Sequence, residues 1–308
     1  VVANPTGACA RYNTGTVPCK GENVAYAESN AIVFANSVLG ARTPRYGDFF
    51  EVCSAITGRA PRFDLHLDQN RLADIHIAVN DPAPFSFSDD QCYALLGDEV
   101  GRLSGGKVPV ITGIPSGVSR DHLKTMGAAV ASSGGVGLFH IVGVTPEAPS
   151  LEAVLPEGEQ PVEKFVTGKD LTRAKRDLTV EEDRELDLVL LGCPHFSLPE
   201  FQRLSELLRG REVAEGVEFW VQTNREVYSW IEEMGILARL RNRGIRVSTD
   251  SCIFNWPLDN WSFDTAVTNS AKFSHYAPND LGFATSLLDL EGCVDAGCRG
   301  ELEQGGEL

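Results

Sequence analysis

At 308 residues the chain is long enough to bury a large core, in one big domain or two smaller ones, and its 43% hydrophobic content is ordinary for a globular protein. The formal charge of −16 argues against nucleic acid and anionic membranes as partners, and no apolar run approaches the ~20 residues that span a bilayer. Nothing resembles a signal peptide, so the eight cysteines read as buried thiols or metal ligands before they read as a disulfide scaffold, and the expected location is cytoplasmic.

In chain order, residues 1–22 are rich in turn formers and read as loop. A helix is predicted over 23–39 and another over 48–57. From residue 73 the pattern alternates: a strand at 73–79, a helix at 87–104, a strand at 108–114, a helix at 119–133 and a strand at 136–144. The stretch 156–186 is charged and irregular, with a short strand near 162–168 and a helix near 169–178. It marks the predicted boundary between a first α/β lobe, 1–155, and a second, 156–308. The second lobe repeats the alternation: strands at 186–192, 218–224, 244–250, 263–269 and 282–290, a helix capped by Ser197 with Glu200 completing a capping box, a helix over 225–244, and a closing helix from 291. Short β-branched runs between helical periods imply βαβ units and mainly parallel sheets. No internal repeat or low-complexity segment stands out.

The first predicted helix carries polar residues that a plain core helix lacks. Glu28, Ser29, Asn30, Asn36 and Ser37 interrupt Ile32, Val33, Phe34, Val38 and Leu39, and buried amides are costly unless bonded. Gly40 then caps it, and Arg42-Thr43-Pro44-Arg45 comes next, placing two guanidiniums on a proline-stiffened loop suited to a carboxylate or phosphate.

In the second lobe the chemistry gathers just beyond the strands. Cys193-Pro194-His195, Thr223-Asn224-Arg225, Asp250-Ser251-Cys252 and Asn269-Ser270-Ala271-Lys272 each come directly after a predicted strand. Ligands of open parallel sheets bind outside the carboxyl ends of the strands, so this edge selects Cys193 and Cys252 among the eight cysteines. Two thiolates there suit a soft metal or an iron–sulfur cluster, against the plain alternative that each cysteine is a small hydrophobe. Cys293 stands near the start of the last helix, where a thiolate is stabilised. Cys298, Cys53 and Cys92 read as structural, Cys9 and Cys19 stay unassigned, and His66, His76, His122 and His140 read as surface or core. His275 stands one helical step beyond Lys272 and reads equally as a loop hydrogen-bonder. No Walker or dinucleotide fingerprint is present.

The segment from Ala27 to Thr43, the Gly192–Ser197 loop, the Thr249–Cys252 turn, the Thr268–Tyr276 loop and the Ser132–Glu152 stretch together resemble the aconitase X family over essentially the whole chain. The resemblance implies an aconitase-like α/β fold and an iron-dependent dehydratase of a small hydroxy acid. It implies an iron or iron–sulfur centre on Cys193, Cys252 and Cys293, with His195, Ser270 and Lys272 at the catalytic edge. Asn30, Asn36, Arg42, Arg45 and Asn269 are the expected substrate-binding residues. It further implies that the small swivel domain, fused or separate, which carries the family's catalytic serine, is absent here, as are residues ahead of the Cys9 region. The chain is thus expected to be the larger part of a catalytic subunit. Two substrates fit the family: cis-3-hydroxy-L-proline, favoured by the segment from Thr43 to Pro61, and mevalonate 5-phosphate. Ser251, Ala271 and the insertion Ile253–Trp261 depart from the family pattern and bear on the substrate. A silent half-enzyme acting as a binding subunit, and a zinc hydrolase, are the readings from other classes.

Overall fold

The computed structural model describes residue 9 and residues 17–47, 49–158, 161–180, 184–256 and 262–302. The chain divides into two compact units, Val1–Pro5 with Gly15–Thr172, and Thr6–Thr14 with Arg173–Leu308.

The first unit begins with α1 (Ser29–Ser37), which is buried at every position after Ser29. It starts later than the sequence pattern predicts because residues 23–24 are extended instead: Asn23 bridges to Arg42, and the Val24 amide bonds the Arg42 carbonyl at 2.9 Å. Glu28 then caps the helix by accepting from the Ala31 amide at 2.7 Å. The next helix, α2 (Phe50–Thr57), buries none of its residues. Four parallel strands come after it, β1 (Ile75–Val79), β2 (Pro109–Thr112), β3 (His140–Ile141) and β4 (Val162–Val166), in the order β3-β2-β1-β4. The ladder at β3 is shorter than the apolar run around it, since β3 is an edge strand with β2 as its sole neighbour. The helices α3 (Asp90–Ser104) and α4 (Arg120–Gly134) pack closely because Gly101 lies against Ser133 and the Val130 carbonyl, where any Cβ would collide.

The strand β4 pairs with β1 over five residues, so 156–172, expected to open the second lobe, belongs with the first. The division falls inside α5 (Gly168–Asp177), between Thr172 and Arg173. An amphipathic helix after an irregular charged stretch looks like a new beginning in sequence, whereas strand pairing decides membership.

The second unit runs β5 (Arg184–Glu185), β6 (Leu188–Leu191), α6 (Leu198–Leu207), β7 (Glu218–Thr223), α7 (Arg225–Glu233), α8 (Ile236–Arg241), β8 (Ile245–Thr249), β9 (Thr265–Thr268), α9 (Ala271–Asp280), β10 (Ala284–Leu287), α10 (Leu290–Arg299) and β11 (Glu301–Leu302). The helix predicted over 225–244 is two helices, since Gly235 is left-handed between them. Five parallel strands form one sheet in the order β10-β9-β6-β7-β8, and β5 pairs with β11 antiparallel. Alternate residues of its strands feed two separate cores. Val189, Leu191, Phe219, Val221 and Val267 face one, which α10 closes, and Leu188, Leu190, Trp220 and Ala266 face the other, with Phe273 of α9.

Candidate active site

In the second unit the chain runs from β6 through β7 to β8 in one direction, then returns to place β9 on the other side of β6. The strand order therefore reverses between β6 and β9, the position where open α/β sheets bind ligands. The loop after β6 is set by Gly192, at φ +90°, where any Cβ would collide with the Gln222 carbonyl. Cys193-Pro194 comes next in a cis peptide, then His195 and the capping box, with the Ser197 amide donating to Glu200 Oε2 at 2.7 Å and the Glu200 amide to Ser197 Oγ at 3.4 Å.

Hydrogen bonds join this loop to its neighbours on both sides. Ser270 Oγ donates to the Cys193 carbonyl and accepts from the Phe273 amide at 3.1 Å, which fixes the start of α9 against the cysteine loop. On the other side, His195 Nε2 donates to the Ser251 carbonyl at 3.0 Å. Thr223 Oγ1 donates to the Phe196 carbonyl at 2.7 Å, and the Asp250 amide to the Thr223 carbonyl at 2.9 Å. Asp250, left-handed at φ 52°, pairs with the Arg225 guanidinium. The strands β6 and β8 are separated by β7 and so are not neighbours, yet the His195 bond brings their loops, and thereby Cys193 and Cys252, to one edge.

The expected residues fall into three groups. Cys193, Cys252, Asn269 and Lys272 lie half-buried on this edge, Lys272 in the first turn of α9. His195, with 1% of its surface exposed, and Ser270, with 5%, serve as ties between loops and hold the edge in shape. His275 stands a turn along α9, edge-on to Tyr276.

Cys293 does not join them. It is fully buried in the core that α10 closes, among Leu290, Val294 and Val267, whereas Cys193 packs against the core on the opposite face of the sheet. Burial pushes its thiol well above the usual cysteine range, with Asp289 adding to the shift. A helix N-terminus lowers a thiol pKa only where the thiolate reaches polar surroundings, and here it does not. Among the described residues no group of three or more His, Cys, Asp or Glu side chains is placed to hold a metal. The set Cys193, Cys252 and Cys293 therefore does not fit an iron centre, although the first two are soft donors on one edge. Cys9, left unassigned above, falls within the second unit. Of the insertion after Cys252, Ile253 is core and Trp256 lies tilted against Trp220, with ring centroids 5.1 Å apart, while 257–261 lie outside the described residues.

In the first unit, Asn36 is a structural residue and not a ligand-binding one. Its Nδ2 donates to the Thr43 and Gly137 carbonyls at 2.8 and 2.9 Å, and its Oδ1 accepts from the Thr43 amide and Arg71 Nη1, both at 3.0 Å. Arg71 in turn bonds the Leu65, Asn36 and Ala41 carbonyls and pairs with Glu147 at 3.0 Å. This buried network shapes the turn that carries Arg42. Asn30 is buried against α4, near Gly127. Arg45 is exposed and lies along Gly135 and Gly137.

Arg42 pairs with Asp68, donates to the His66 carbonyl at 3.3 Å, and lines a cavity of about 570 Å³. That cavity also takes in His66, read from the sequence as surface or core, and Ser54, Arg59 and Arg62, which sequence reasoning passed over. A signal was there: Arg59-Ala60-Pro61-Arg62 repeats the Arg-x-Pro-Arg spacing of Arg42-Thr43-Pro44-Arg45.

A two-unit α/β chain with mainly parallel sheets, and with a cysteine, an amide and a lysine directly after the two strands between which the order reverses, has an aconitase-like fold. The chain belongs to the aconitase X family, whose first, second and third domains match residues 1–69, 73–176 and 186–299. It is 42% identical to cis-3-hydroxy-L-proline dehydratase of Hypocrea jecorina over 98% of its length and 51% of the relative's. It is 37% identical to the phosphomevalonate dehydratase large subunit of Methanothermobacter thermautotrophicus, covering 90% of this chain and 66% of the relative. Among solved structures it resembles Thermococcus kodakaraensis aconitase X in a holo-form, with a TM-score of 0.84 and 30% identity, covering 95% of this chain and 72% of that one. The chain spans about half the length of the hydroxyproline dehydratase it matches.

Proposed function

We propose that this chain is the larger part of a hydro-lyase that removes water from a small hydroxy acid, with cis-3-hydroxy-L-proline as the substrate. The reading is supported by the position of Cys193, Asn269 and Lys272 directly after β6 and β9, between which the strand order reverses, with the Cys252 loop tied to them through His195, in a chain 42% identical to a dehydratase of that substrate. Eliminating water from a hydroxy acid needs an anchored carboxylate, a base for the neighbouring carbon and stabilisation of the departing hydroxyl. The Lys272 ammonium and the Asn269 amide, at the start of α9, supply cationic and hydrogen-bonding groups for the carboxylate. Ser270 and His195 hold that arrangement together by fixing the loops. Cys193 and Cys252 offer soft donors for a metal whose remaining ligand is not Cys293. The base is assigned to the part of the relatives that this chain does not cover, which is also its proposed partner, as domain or separate subunit.

All eight cysteines are free thiols, which supports a reducing, cytoplasmic setting. Among the described residues no helix is long and apolar enough to cross a membrane. The test of the function is anaerobic turnover by the chain combined with the remaining part of the enzyme, offered cis-3-hydroxy-L-proline and mevalonate 5-phosphate in parallel. Preference for the first supports the reading, preference for the second replaces the substrate, and turnover of neither leaves a binding subunit.

A further inference from the structure

Tyr276 stands four residues beyond Lys272 in α9, so the two share one face of the helix, about 6 Å apart along its axis. Helical side chains lean towards the N-terminus of their own helix, which carries the Tyr276 ring back towards the turn that holds Lys272. Ser270 caps that turn and ties it to the Cys193 loop.

Two rings hold the Tyr276 phenol in place. Phe254, two residues beyond Cys252, stands edge-on to it with ring centroids 6.1 Å apart, and His275 does so at 5.1 Å. Phe254 also lies against Phe273, at 5.8 Å. The strands β8 and β9 are separated by β6 and β7, so the turn after Cys252 reaches across to α9 to make these contacts. Tyr276 therefore stands where the Cys252 turn meets the helix that carries Lys272. Aromatic pairs of this geometry favour one ring orientation over others.

The hydroxyl behaves differently from the ring. Among the described residues it makes no hydrogen bond, and it is open to solvent. Packing accounts for the ring, and a phenylalanine would pack as well. On a mobile side chain a solvated hydroxyl would carry no meaning. Here the ring is fixed, so a ligand can use the hydroxyl without first ordering it.

We propose that Tyr276 is a further catalytic residue of the dehydration: its hydroxyl donates a hydrogen bond to the hydroxyl that the substrate loses, and passes its proton to that group as the carbon–oxygen bond breaks. The bonding pair leaves with the oxygen, which departs as water. The phenolate left behind is stabilised by the Lys272 ammonium and regains a proton from solvent. The proton of the neighbouring carbon goes to the base assigned above to the remaining part of the enzyme. This step rests on the reaction proposed above and names a residue for it.

The test uses the chain combined with that remaining part and compares wild type with Tyr276→Phe, which keeps the ring contacts with Phe254 and His275 and removes only the hydroxyl. With cis-3-hydroxy-L-proline, kcat is expected to fall about a hundredfold, with KM changed by no more than about threefold and circular dichroism unaltered. A second readout needs no turnover. In protein labelled with 3-fluorotyrosine, the Tyr276 fluorine resonance, assigned by its loss in Tyr276→Phe, should shift on saturation with cis-3-hydroxy-L-proline. Undiminished kcat in Tyr276→Phe beside an active wild type would overturn the assignment and leave the reaction standing. An unshifted resonance would likewise remove Tyr276 from the site. A shifted resonance in a wild type without turnover would overturn the dehydration, and the proton step with it, while leaving Tyr276 as a ligand contact.

Discussion

His195 Nε2 donates to the carbonyl of Ser251 at 3.0 Å, although the strands that precede these residues are separated by a third. The bond is partly buried, and it sets where Cys252 stands relative to Cys193. Replacing His195 with alanine should therefore do more than lower stability. The half-buried Cys252 thiol should react with iodoacetamide several-fold faster, because its loop loses its tether. Equal labelling rates in wild type and variant, measured by mass spectrometry under native conditions, would show that the tie does not hold the loop.

Asn36 uses all of its hydrogen-bonding capacity within the protein, and one of its partners is the buried Arg71. Asn36→Ala should cost roughly 3 kcal/mol of stability, since it strands a backbone amide, carbonyls and part of a guanidinium in the core. Denaturant unfolding of the chain measures this. A variant of full stability with reduced substrate binding would return Asn36 to the role first expected of it.

The thiols should separate by reactivity. Cys19 and Cys53 are exposed, whereas Cys92 and Cys293 are buried, with pKa values pushed up to about 12 for Cys92 and well above the usual range for Cys293. Alkylation in the native state should modify Cys19 and Cys53 first, and Cys92 and Cys293 only after unfolding. Labelling of Cys293 as fast as Cys193 would put it back on the ligand edge.

The range of each interaction decided whether the sequence revealed it. Strand and helix periods are local, so β1, β6, β7, α3 and α4 were legible, as was the Ser197–Glu200 capping box. The rule that ligands gather beyond strand ends picked out Cys193 and Cys252. Strand order is not local, so the return of β9 to the far side of β6 was not legible in the sequence. Nor does a helix pattern tell which face of a sheet the helix will cover, and that alone removed Cys293 from the site. Asn36 looked like a ligand because its partner Gly137 lies 101 residues away. The cavity escaped because its arginines belong to two separated copies of a four-residue motif.

Acid should loosen the first unit before its carboxylates titrate. Burial holds His66 and His140 below the ordinary histidine value of 6.5, with Arg71 and Arg42 adding to the effect on His66. A histidine depressed in the folded state binds its proton more readily when unfolded. Its contribution is thus fully present above pH 6.5 and is lost as the pH falls through the folded value. The melting temperature should decline as pH drops from 7 towards 5, and His140→Gln should flatten that decline. An unchanged slope in the variant would place the acid sensitivity elsewhere.

One assay tests most directly the proposal that the edge formed by β6, β8 and β9 serves a dehydratase reaction. The chain is combined with the remaining part of the enzyme under anaerobic conditions with iron supplied, and the conversion of cis-3-hydroxy-L-proline is compared for wild type, Cys193→Ser, Cys252→Ser and Cys293→Ser, each checked for folding by circular dichroism. The expected result is turnover in wild type, its loss in Cys193→Ser and Cys252→Ser, and its retention in Cys293→Ser to the extent that the protein stays folded. Undiminished turnover in Cys193→Ser and Cys252→Ser would contradict it.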